Sequence, residues 1–171
     1  MRYFLVDKTV FDNNRVGMYG KLIYAILCKF LNADGTCFPS RKTISKCGNF
    51  SISTYNKYVS VMLLENVLEK KIRVRKNGSQ TSNLFKLKKN KENSFPVRSD
   101  IFSKGLSSTA VCVYICLARH VAEDNCCRVS QHLIAEKCSI SISSVIRAVK
   151  ELKSANMLET IKQTNINNNG N

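Results

Sequence analysis

The sequence predicts a mainly helical α+β chain made of two copies of one small domain, the first copy closing on a β-hairpin. Three observations predict it. The chain aligns with itself at an offset of 90 residues, without a gap over about fifty positions. Apolar residues recur at helical spacing in both copies, and serines stand at matched positions where helices should begin. In the first copy the apolar period then drops to two, on either side of the turn signal Lys76-Asn77-Gly78-Ser79.

The repeat is specific. Tyr24 falls on Tyr114, Leu27 on Leu117, Asp34 on Asp124 and Cys37 on Cys127. Ser40 falls on Ser130, Ile44 on Ile134, and Ser51-Ile52-Ser53 on Ser141-Ile142-Ser143. Val59 falls on Val149, Asn66 on Asn156, and Leu68-Glu69 on Leu158-Glu159. About a quarter of the aligned positions are identical. A repeat of this length is a domain rather than a solenoid unit. The 171-residue length also suits two small domains.

In chain order, residues 3–6 read as a short strand or arm. Leu22, Ile23, Ile26, Leu27 and Phe30 mark a helix from Met18 to about Leu31, ended by the turn Asn32-Ala33-Asp34-Gly35. Thr36–Pro39 is extended, because Pro39 biases Phe38 away from helix. Ser40 caps a short helix from Arg41 to Cys47, and Gly48-Asn49 turns. Ser51 caps a third helix to about Asn66, with Tyr55, Val59 and Met62 facing inward. Val67–Lys76 and Ser82–Lys89 then alternate: Ile72, Val74, Phe85 and Leu87 one way, Lys71, Arg73, Arg75, Lys86 and Lys88 the other.

Helix, short helix, helix and basic hairpin make a winged helix-turn-helix. The second copy repeats the order. Ser107 caps a helix to about Val121, Ser130 one to about Lys137, and Ser141 one to about Ala155, with Val145, Ala148, Val149 and Leu152 as its core face. Met157–Thr164 reads as a strand with no return strand after it. The expected organisation is therefore two tandem winged helix-turn-helix domains, 1–89 and 95–165. Residues 90–94 form a linker, the second wing is incomplete, and 166–171 is an Asn-rich flexible tail.

The net charge is +15, which points to an anionic partner, nucleic acid first. The excess is uneven: residues 1–94 hold 18 Lys/Arg against 6 Asp/Glu, and residues 95–171 hold 9 against 6. The N-terminal apolar run breaks at Asp7-Lys8, so no signal peptide is expected. No apolar stretch is long enough to span a bilayer. The expectation is a cytoplasmic protein without a membrane partner, its eight cysteines kept as thiols. Cys112 and Cys116, Cys126-Cys127, His120 and His132 lack the paired spacing of structural zinc sites, so no metal and no cofactor are expected.

In a helix-turn-helix the third helix enters the major groove. Its outward positions in the first copy are Ser53, Thr54, Asn56, Lys57 and Ser60. Asn pairs with adenine, Lys donates to guanine, and hydroxyls reach bases or phosphates. The matching residues of the second copy are Ser143, Ser144, Ile146, Arg147 and Lys150, with Arg147 placed for guanine and Ile146 either touching a thymine methyl or simply exposed. Arg41, Lys42 and Lys46 on the short helix, and Arg73, Arg75, Lys76, Lys86 and Lys88 on the wing, are suited to backbone phosphate. Helix capping alone explains Ser51 and Ser141, and a charged hairpin also discourages strand-to-strand aggregation. Acidic residues would serve that second purpose equally well, yet none lies between Lys70 and Lys91.

The stretch from Phe11 to Leu87 resembles the winged helix-turn-helix domains of replication initiators and replisome organisers of bacterial plasmids and phages. The resemblance rests on GMYGKLIYAILCKF, ADGTCFPSRKTIS, SISTYNKYV and NGSQTSNLFKL. The second copy keeps AEDN, VSQHLIAE and SISISSVIRAVKEL but lacks Phe-Pro before its second helix and the final strand. The resemblance implies binding of double-stranded DNA at an origin-like or operator-like site.

A replication initiator or origin-binding protein is the first expectation. A transcriptional repressor of a mobile element, or a winged-helix adaptor that docks proteins, is the alternative. Replication or transcription machinery and a second copy of the chain are the further partners considered. The second domain either reads a groove about one turn (~10 bp) away or mediates dimerisation. No enzyme is expected: there is no phosphate-binding glycine loop, acidic residues are scattered, and Tyr55 and Tyr58 fall on or near an inward helix face.

Overall fold

The computed structural model describes residues 2–87 and 92–161. Strand β1 (Tyr3–Asp7) leads into a short helix α1 (Lys8–Asp12) and a 3-10 turn (Asn14–Val16). Then come α2 (Gly17–Lys29), β2 (Thr36–Cys37), α3 (Arg41–Gly48), α4 (Ile52–Leu64), β3 (Leu68–Lys71) and β4 (Leu84–Leu87). The second copy contributes β5 (Ser94–Arg98), a 3-10 turn (Ser99–Ser103), α5 (Ser108–Arg119), α6 (Gln131–Cys138) and α7 (Ile142–Ser154). About half of the described chain is helical and the sheets are small and antiparallel, an α+β mixture.

The helices begin where the serines stand. Ser40 accepts from Thr43 N at 3.0 Å, Ser51 from Thr54 N at 3.0 Å and Ser107 from Ala110 N at 3.2 Å. Ser130 accepts from Leu133 N at 3.1 Å and Ser141 from Ser144 N at 3.2 Å. Each such cap typically contributes ~1 kcal/mol. The ends are matched too. Asn49 after α3 and Ser139 after α6 are left-handed, with φ of 53° and 55°. Asn66 and Asn156, just past α4 and α7, both have φ 53°. The α3–α4 turn needs Gly48: a Cβ there would lie 2.0 Å from Phe50 Cε1.

Helix α2 is buried on every side from Gly20 to Cys28, including Lys21. A helix buried all round lies between layers. Here α3, α4 and β1 lie against it from its own copy, and α5 and α6 from the other. The result is one continuous apolar core across both copies. Phe11 meets Phe95 edge-to-face at 5.7 Å, and Phe4 stacks on Phe102 at 5.9 Å. Polar contacts add to this joint: Asp12 pairs with Arg119 at 2.6 Å and with Lys137 at 3.5 Å.

Two sheets form. β1 pairs antiparallel with β5, with Leu5 opposite Pro96. Ser94, read from the sequence as the last linker residue, opens β5, and Lys8 N donates to Asn93 O at 2.9 Å. The second sheet has the order β2-β4-β3. Its hairpin turns at the expected place: Gly78 has φ 77° and Gly78 N donates to Arg75 O at 2.9 Å.

Ile72 and Val74, on one side of the alternating strand, are 66% and 61% exposed. Two expectations change. The strand expected over Met157–Thr164 is absent through Ile161, since β3 in the first copy is held only by β4 and no counterpart of β4 pairs here among the described residues. Val149 is half-buried, whereas Val145, Ala148 and Leu152 are buried as expected. Lys88 and the 166–171 tail lie outside the described residues.

Buried thiols make the fold alkali-sensitive. Burial pushes Cys37 from 9.0 up to about 12. Hydrogen bonding with the Cys138 side chain and burial raise Cys116; hydrogen bonding with the Cys112 side chain and burial raise Cys138, opposed by its hydrogen bond with Cys116. Above the unfolded thiol value of 9.0 the unfolded chain loses protons that the folded chain keeps. Stability therefore falls by roughly 1.4 kcal/mol per pH unit for each such thiol. Lys21, lowered by burial, works in the opposite direction but is a single group. The urea midpoint is expected to drop between about pH 8 and about pH 10. A constant or rising midpoint would contradict this.

Candidate nucleic-acid interface

Helix α4 buries Tyr55, Val59 and Met62 and leaves Ser53, Asn56, Lys57 and Ser60 exposed. Thr54 is half-buried, its hydroxyl 2.9 Å from Ser51 Oγ. The Ser60 hydroxyl donates to Asn56 O at 3.1 Å, so it is partly occupied. Lys57 Nζ stands 5.5 Å from the Tyr58 ring centre. Asn56 and Lys57 are thus the long polar side chains exposed on the outer face. Tyr55 faces the core: burial raises its phenol, while a hydrogen bond with Asn83 and the nearby Arg41 oppose that rise.

Beside α4, Arg41, Lys42 and Lys46 are exposed on α3. The buried Ser45 hydroxyl has no hydrogen-bond partner among the described residues. It lines a surface pocket with Lys46, Asn49, Phe50 and Ser51, at the N-terminus of α4. Sequence reading missed Ser45; its counterpart Ala135 was the available signal.

The wing carries Arg73, Arg75, Lys76 and Lys86, all exposed. Its tip is fixed by Arg75 N donating to Ser79 O at 2.9 Å and by Asn77 accepting from Ser79 Oγ at 2.7 Å. Arg73 lies over the Phe38 ring at 4.9 Å, tying the wing to the loop before α3. Phe38 entered the sequence reading only through its neighbour Pro39, and this stack had no sequence signal.

In the second copy α7 exposes Ser143, Ile146, Arg147 and Lys150. Ser144 is half-buried and its Oγ accepts from Arg147 Nη2 at 3.3 Å. Glu151 faces the start of α5, where Ser107 N and Ser107 Oγ each donate to it at 2.6 Å.

The two copies differ in charge pairing. Arg98, Lys104, Arg119, Arg128 and Lys137, all of the second copy, are in ion pairs. Among the described residues, none of Arg41, Lys42, Lys46, Lys57, Arg73, Arg75, Lys76, Lys86, Arg147 and Lys150 is in one within 4.0 Å. No described helix is long and apolar enough to cross a membrane, and no group of His, Cys, Asp or Glu suited to a metal occurs among the described residues.

No curated protein and no solved structure matches the sequence. A family model described as a helix-turn-helix domain matches residues 104–158, about a third of the chain. That match covers α5, α6 and α7, so it falls on the second copy, whereas the resemblance read from the sequence rests mainly on the first. Residues 104–158 are thus similar to a helix-turn-helix domain, and α2, α3 and α4 repeat the helix order of α5, α6 and α7 about 90 residues earlier.

Proposed function

We propose that this chain is a sequence-specific double-stranded DNA-binding protein built of two winged helix-turn-helix units, with the first copy as the main reader. The observation that carries this is the set of unpaired cations on α3, α4 and the wing of the first copy. Cations held for stability tend to find carboxylates, as Arg98, Lys104, Arg119, Arg128 and Lys137 of the second copy do. Asn56 and Lys57 would reach base edges, with Ser53, Thr54 and Ser60 beside them. Arg41, Lys42, Arg73, Arg75, Lys76 and Lys86 would hold the backbone and fix register.

A phosphate at the N-terminus of α4 would meet backbone N–H groups of the first turn and Lys46. In the second copy Arg147 and Lys150, flanked by Ser143 and Ser144, would make a smaller set of contacts. The resemblance of Phe11–Leu87 to replication initiators makes an origin of replication the first site to test, with an operator as the second. No step of bond making or breaking is assigned to the chain.

Band-shift titration of the full chain on duplex DNA over a range of salt tests this reading. Several neutralised phosphates give a log–log slope near −0.9 for each contact, so affinity should fall steeply with salt. Salt-insensitive binding, or none, would sink it.

A further inference from the structure

We propose that the duplex site is a pair of unequal half-sites in inverted orientation, read by α4 and α7 of one chain about an internal two-fold axis. This rests on the DNA-binding reading above and goes beyond it by fixing the symmetry of the site.

The axis is visible in how the copies meet. β1 and β5 occupy equivalent places, each ahead of its copy's 3-10 turn and first long helix. They pair with each other antiparallel, residue 3 opposite 98 and 7 opposite 94, so the pairing is centred on Leu5 and Pro96. Two copies related by simple translation would run these strands parallel. α2 packs on α5, which is its own counterpart.

Several further contacts between the copies come in exchanged pairs. The end of α3 lies against the start of α5, where Ser108 Oγ is 2.7 Å from Gly48 O and 2.9 Å from Asn49 O. The end of α6 lies against α2, where Lys21 Nζ donates to Lys137 O. α3 also touches the 3-10 turn Ser99–Ser103, and α6 touches the 3-10 turn Asn14–Val16. Ser139 Oγ reaches Asn14 O at 3.5 Å, and Ser139 is the counterpart of Asn49. Contacts in which patch A of one copy meets patch B of the other, and B meets A, define a two-fold interface.

The symmetry carries over to the DNA. Two reading helices related by a two-fold axis, docked alike on one duplex, face half-sites that run in opposite directions. Such an arrangement ordinarily takes two chains; here one chain holds both halves. The halves are not equal. α4 presents Asn56, Lys57 and Ser60 where α7 presents Ile146, Arg147 and Lys150. Among the described residues, only the first copy has a paired wing. The inverted site should therefore be imperfect, with stronger sequence preference in the half read by α4.

Selection from a library of random duplexes with the full chain tests this. The expected motif has two unequal halves in inverted orientation. Lys57→Ala should relax the stronger half and Arg147→Ala the weaker; both residues are exposed, so the fold should be kept. Flipping the weaker half to direct orientation at the same spacing should lower affinity about 10-fold or more, as mismatched base pairs do. A direct-repeat motif, or one half-site indifferent to Arg147→Ala, would overturn the inference and leave DNA binding standing. Failure to enrich any duplex, together with no salt-dependent binding, would overturn the functional reading itself and the inference with it.

Discussion

Lys21→Ala is expected to lower the free energy of unfolding by ~3 kcal/mol, the range of a large buried side chain cut back to alanine. Lys21 is fully buried where the copies meet. Its Nζ donates to the Lys137 carbonyl, and Asn14 Oδ1 lies 3.5 Å away. Alanine would remove a packed four-carbon stem and leave a part-buried carbonyl at the end of α6 without its donor. Burying the ammonium has its own cost, and burial lowers the Lys21 pKa accordingly. Lys21→Met should therefore retain most of the stability, because it keeps the stem and discards the buried charge. Urea denaturation of the two variants separates these contributions. A Met variant as unstable as the Ala variant would mean that the bond to α6, not packing, joins the copies.

The second large effect is on DNA. Replacing Lys57 and Arg73 together with alanine is expected to weaken duplex binding by ~2–4 kcal/mol, a base contact and a phosphate contact combined. Lys57 should also relax sequence preference in one half-site, whereas Arg73 should weaken all sequences alike. Arg73→Ala removes the stack on Phe38 as well, so the wing would lose its tie to the loop before α3. Thermal unfolding should change little, because both side chains are exposed. Unaltered DNA affinity in this variant would favour the protein-adaptor alternative.

Much of this arrangement was legible because it is local. A serine followed by a helical apolar pattern caps that helix whatever surrounds it, and Ser40, Ser51, Ser107, Ser130 and Ser141 all do so. The repeated Asn66 and Asn156 have an equally local cause, since both hold left-handed backbone where a helix ends. The turn at Asn77-Gly78 declares itself by the same means.

What was not legible depends on distant partners. Ser94–Arg98 contains a proline and follows a charged stretch, so Ser94 read as the last linker residue and Phe95–Arg98 as the start of the second domain with no strand assigned. It is a strand because β1 offers an antiparallel partner and because Pro96 falls on an outward, exposed position while Phe95 and Val97 turn inward. Lys21 sits in an apolar helix, and lysine is ordinarily placed at a surface; only the facing α6 explains its burial. Ile72 and Val74 alternate with the wing cations as strand residues do, yet both are exposed.

For the interface, the chemical type of each side chain was readable and its local charge partners partly so. Lys104 and Arg128 each follow an aspartate by four residues, whereas no acidic residue flanks Arg75 and Lys76. The structure joins the first two to those aspartates, with Lys104 3.6 Å from Asp100 and Arg128 2.6 Å from Asp124.

That contrast provides the most direct test of the central claim, that unpaired cations form the DNA-binding surface. The measurement is the salt dependence of duplex affinity for the wild-type chain, for Arg75→Ala with Lys76→Ala, and for Lys104→Ala with Arg128→Ala. The wing variant is expected to reduce the log–log slope by about 2, near 0.9 for each lost phosphate contact, while the paired-cation variant keeps the wild-type slope. Equal slope changes in the two variants, or none in the wing variant, would contradict it.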